Sequence, residues 1–152
     1  MKAPGRVLAR AGLRWLVALL LIGDAVGKLG DLREFYAALL GYQLPLPALL
    51  LRGVAIVLPW VELLCGLLLL TGPRNRGALA WTLVLAVLFA LGTGQAALRG
   101  LDIGCGCFSS RLPGFGPGST AAAWFGSLRF AFLRALGLGA ASLYLLRRDG
   151  GA

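Results

Sequence analysis

Two cysteines separated by a single glycine, in the run Gly104-Cys105-Gly106-Cys107-Phe108, are the residues of this chain best suited to chemistry. A disulfide prefers Cα atoms about 4.4–6.8 Å apart and a near-perpendicular dihedral. A ring with one intervening residue is therefore expected to be strained, oxidising and readily opened by an incoming thiolate. Gly104 and Gly106 ease the bend that such a ring requires. The leading expectation is a redox dithiol, Cys105 and Cys107, that exchanges with the thiols of a partner. Two rival readings stay open: an inert local staple, and a soft-thiolate site for Cu(I). With no histidine and three cysteines in all, the chain lacks ligands for a four-coordinate site of its own, so no metal site is expected without a second chain or bound thiols.

The third cysteine, Cys65, lies about 20 Å down its apolar segment from Arg52 at 1.5 Å per residue and reads as a small buried hydrophobe. It would meet the pair only if the connector folds back into the bundle. Three charged residues fall within apolar segments: Asp24 and Glu62 at depths of about 9 and 15 Å, and Arg134 at about 10 Å. Intramembrane charges are costly, and by default they mark function or pair with one another. Arg134 is the evident partner for either carboxylate. The functional reading has a carboxylate relaying protons and an arginine stabilising a thiolate; the structural reading is an ion pair that fixes helix packing. Lys28 and Asp31 are expected on the outer side, cradling the connector, forming a docking surface or simply facing solvent.

The elements that must position these residues are helices in a membrane. Of the 152 residues 59% are hydrophobic and 14% charged, too apolar for a soluble domain of this length. The expected fold is all-α: four transmembrane helices near residues 13–29, 50–70, 78–98 and 121–146, in a single domain over 1–152. A short amphipathic interfacial helix is expected from Asp31 to Tyr42, between helices one and two. The cysteine connector, 99–119, joins helices three and four. Residues 1–23 have some character of a signal peptide, but the apolar run continues to Gly27, which favours a retained first helix. The in-helix glycines Gly23, Gly27, Gly66, Gly92, Gly94, Gly137 and Gly139 suit close helix packing.

The formal charge of +9 is scattered over helix ends, a pattern of topology rather than of nucleic-acid binding. Lys2, Arg6, Arg10 and Arg14, then Arg74 and Arg76, then Arg147 and Arg148 outweigh the more dispersed Lys28, Arg33, Arg52, Arg99 and Arg111. Both termini are therefore expected in the cytoplasm and the cysteine connector outside, where disulfides are made.

Gly27-Lys28-Leu29 with Asp31, Phe35 and Tyr42, then Pro59, Glu62 and Gly66, and finally Cys105-Gly106-Cys107-Phe108, resemble the MauE family, within the DoxX-like group of small four-helix membrane proteins. The resemblance covers about Gly23 to Phe108. It implies a bacterial inner-membrane protein tied to maturation of methylamine dehydrogenase, whose small subunit carries many disulfides, and acting with a periplasmic thioredoxin-like protein. Carried over, Cys105 and Cys107 are the redox pair, and Lys28, Asp31, Pro59 and Glu62 the family's helix residues. Phe108-Ser109 stands where members often have a glycine after the phenylalanine.

Three functions follow as expectations. The first is a membrane thiol–disulfide oxidoreductase working on a periplasmic thioredoxin-like or client protein through a mixed disulfide. The second is a non-catalytic anchor or maturation factor for such a redox partner. The third is a small transporter or metal-handling protein using Asp24, Glu62 and Arg134, which would need a homo-oligomer. No cofactor is required by the sequence; an isoprenoid quinone between the helices is compatible with it.

Overall fold

A computed structural model describes residues 4–72, 75–101, 103 and 127–149. They form five helices: α1 Pro4–Gly30, α2 Leu32–Gly41, α3 Ala48–Thr71, α4 Arg76–Leu98 and α5 Leu128–Asp149. The expected start of the last span, 121–126, and the Cys105–Cys107 pair lie outside the described residues.

The expectation of four membrane-crossing helices needs correction. Among the described residues three helices are long and apolar enough to cross a membrane: Ala48–Thr71, Arg76–Leu98 and Leu128–Arg148. Helix α1 has the length, but the basic residues taken as its flank are inside it. Arg6, Arg10 and Arg14, followed by Asp24 and Lys28, put at least three charged residues in every membrane-length stretch of it. The chain is a multi-pass membrane protein built on those three helices, with α1 packed along α3.

Each helix buries one stripe at helical spacing. On α3 the buried positions are Leu51, Ala55, Pro59, Glu62, Cys65, Gly66 and Leu69. On α1 they include Val17, Ala18, Leu21, Asp24, Ala25 and Lys28, so two charged side chains lie within the stripe that faces the bundle. Gly66 permits the closest approach: a Cβ there would stand 2.6 Å from Ile22 Cγ1 and 3.0 Å from the Ala18 carbonyl oxygen. Gly94 and Gly139 likewise let α4 and α5 pack closely, against Phe132 and Ala86. Gly23, Gly92 and Gly137 meet nothing within 4 Å, so the packing role expected of them is absent.

The short helix α2 begins where its sequence says it should. Asp31 Oδ1 accepts the Glu34 amide at 3.0 Å, an N-cap, and Phe35 and Leu39 bury against Ala55 of α3. Helix α4 ends in a Schellman motif: Gly100, at φ +65°, donates to the Ala97 carbonyl and Leu101 to that of Ala96. Ile103 then packs with Tyr42, Ala96 and Leu128, tying the start of the cysteine connector to α2, α4 and α5.

Candidate functional site: two buried ion pairs

Asp24 and Lys28 are one turn apart on α1 and project from the same face, a spacing that presents both charges to the bundle. Glu62 comes from α3 and Arg134 from α5. The Lys28 ammonium donates to both Glu62 carboxylate oxygens, at 2.6 and 2.7 Å, with the two side chains at most 1% exposed. The Arg134 guanidinium donates to Asp24 Oδ1, and both side chains are largely buried. A cavity of about 20 Å³ between the pairs is bordered by Asp24, Glu62 and Arg134, with Thr82 and Phe89 of α4. That is room for about one water molecule. Two cations and two anions make the cluster formally neutral, the condition under which buried charge is tolerable in a low-dielectric core.

Lys28 is held from a second direction. Its Nζ lies 4.2 Å from the centroid of Phe89 and 5.3 Å from that of Phe35, within cation–π range of both. Carboxylate and aromatic faces thus replace the water that an ammonium normally requires. Thr82 Oγ1 donates to the Ala78 carbonyl at 2.7 Å, so this hydroxyl is satisfied within its own helix.

Several expectations change here. Arg134 pairs with Asp24, while Glu62 takes Lys28 as its partner. Lys28 belongs to the core and forms no outer docking surface, because α1 continues to Gly30 and α2 folds Phe35 over it. Asp31 is placed as a helix cap. Cys65 is a buried free thiol among Val17, Ala18, Leu21 and Leu69. Cys105 and Cys107 lie outside the described residues. Phe89 was not anticipated: as one apolar residue in an apolar helix, it carries no sequence signal of its contact with Lys28. The Asp24–Lys28 spacing did carry a signal, since opposite charges one turn apart within an apolar stripe mark a buried polar face. Among the described residues no three metal-ligating side chains gather.

A family model described as "Methylamine utilisation protein MauE" matches residues 6–147. Three relatives named "Methylamine utilization protein MauE" are similar over most of the chain. The one from Paracoccus denitrificans is 34% identical over 131 residues, 86% of this chain and 67% of its own length. Those from Paracoccus versutus and Methylophilus methylotrophus are 36% and 35% identical, over 91% and 85% of this chain and 72% and 63% of theirs. No solved structure matches the chain. The helices, the buried charges and these likenesses agree: the chain belongs to the MauE family of bacterial membrane proteins.

Proposed function

We propose that this protein is a membrane-embedded maturation factor that anchors a periplasmic, disulfide-containing or thioredoxin-like partner. The observation that carries the reading is the mutual neutralisation of Asp24, Lys28, Glu62 and Arg134. A transporter or proton relay needs carboxylates that exchange partners with water along a path. Here each carboxylate is engaged by its own cation beside a cavity of about 20 Å³, so the charges fix α1 against α3 and α5. The result is a rigid frame, suited to presenting segments at the membrane surface. The relatives' name supports a client in methylamine utilisation. Arg147 and Arg148 in the cytoplasm and the cysteine connector outside complete the proposal, following the arginine distribution.

In this reading thiol exchange by Cys105 and Cys107 is dispensable. The test is complementation of a Paracoccus denitrificans strain lacking its MauE protein, scored as growth on methylamine. Wild type and Cys105→Ser/Cys107→Ser should restore growth alike, at equal membrane levels. Growth restored by wild type and lost in the double variant would transfer the function to thiol–disulfide exchange. Failure of wild type to restore growth would refute a client in that process.

A further inference from the structure

Helix α4 packs extensively on α5 but meets α3 far less, and beside α2 a space is left between α3 and α4. The space between them is a cleft of about 520 Å³, within the roughly 300–1,000 Å³ typical of small-molecule sites. Phe35 and Leu39 roof it, Val54 and Leu58 form one wall, and Leu88 and Gly92 the other. Val54, Leu88 and Leu91 are exposed, so the cleft opens sideways on the face that two membrane-crossing helices turn to lipid. A Cβ built on Gly92 meets nothing within 4 Å, which marks this wall as open space.

The cleft's polar groups are already engaged. Thr93 Oγ1 donates to the Phe89 carbonyl at 2.7 Å, and Gln95 Nε2 to the Tyr42 carbonyl at 2.9 Å. An occupant that needs hydrogen bonds deep inside, such as a quinone ring, finds these donors taken. At the rim the chemistry changes. Arg99 lies 3.4 Å from Gln95 Oε1 and is held by Gln43 through its side-chain oxygen at 3.0 Å and its carbonyl at 3.3 Å. Its guanidinium is exposed, and among the described residues no carboxylate forms an ion pair with it. An apolar slot open to lipid, with a fixed cation one helical turn beyond its lining residue Gln95 and bonded to it, complements an amphiphile with an anionic head.

We propose that the α3–α4 cleft binds one acyl chain of an anionic phospholipid, whose phosphate sits on Arg99. The site shares Phe35 and Phe89 with the surroundings of Lys28 but none of the four charged side chains, and it is independent of the client the protein serves.

The test uses full-length protein, delipidated in mild detergent and incubated with dioleoylphosphatidylglycerol or dioleoylphosphatidylcholine, with bound lipid counted by native mass spectrometry. Wild type should prefer the glycerol lipid by about fivefold, the discrimination expected of one cation at a membrane surface. Arg99→Gln should abolish that preference while still binding both lipids. Gly92→Leu and, from the opposite wall, Val54→Trp should each lose bound lipid while keeping the wild-type melting temperature in detergent. Equal binding of the two lipids by wild type, undiminished binding in folded cleft-filling variants, or displacement of the lipid by equimolar ubiquinone would overturn the proposal.

Discussion

The bundle contains two interhelical regions of opposite design. Where α1 meets α3 and α5, helices approach closely through Gly66 and enclose four charges in two ion pairs. Where α3 faces α4 beside α2, a space is left between the helices, and the lining is almost wholly apolar and open. In lipid, apolar side chains gain little by leaving the solvent, so close contact needs small residues or polar partners. The first region has both. The second sets Val54 and Leu58 against Leu88 and Gly92, with Thr93 bonded within its own helix, and it remains a cleft.

Substitutions should therefore behave differently in the two regions. Lys28→Met leaves Glu62 buried without its cation and should destabilise the protein by about 3–5 kcal/mol, seen as loss of folded protein from membranes. Gly66→Ala drives a methyl into Ile22 and the Ala18 carbonyl and should cost about 1–3 kcal/mol, read as a lower melting temperature in detergent. Asp31→Ala, at the edge of both regions, removes the α2 cap and should cost about 1 kcal/mol, measurable as faster amide exchange at Glu34. Gly92→Leu, in the cleft, should leave stability unchanged or raise it by up to about 1 kcal/mol in the same melting assay, because it improves helix propensity and meets no atom. A loss at Gly92 comparable to that at Gly66 would erase the distinction between the regions.

What the sequence disclosed follows the same division. Local features were legible: the amphipathic run from Asp31 to Tyr42 marked α2, though not the cap that Asp31 forms, and the long apolar segments marked α3 and α4. Asp24, Glu62 and Arg134 stood out because charge inside apolar stretches is conspicuous. The pairing was not legible. Lys28 and Glu62 are 34 positions apart, and a lysine near a helix end ordinarily reaches for the surface. Only the fold of α2 over α1, with Phe35 and Phe89 around the ammonium, makes burial the better state. The span count failed for a related reason. Arg6, Arg10 and Arg14 read as a flank but form the first turns of a 27-residue helix. The cleft left no trace in the sequence, since an apolar residue facing a void looks like one facing a neighbour.

The central claim is that the buried charges hold the frame together and perform no chemistry. The most direct test replaces both members of one pair, Lys28→Met/Glu62→Met, in the complementation strain, with membrane level and melting temperature measured alongside growth. Replacing a buried ion pair by apolar side chains of similar volume is often neutral or stabilising. The double variant should therefore regain the stability lost in Lys28→Met and support growth on methylamine like wild type. A double variant that is stable and abundant in the membrane but does not support growth would contradict the account and assign the charges a chemical role.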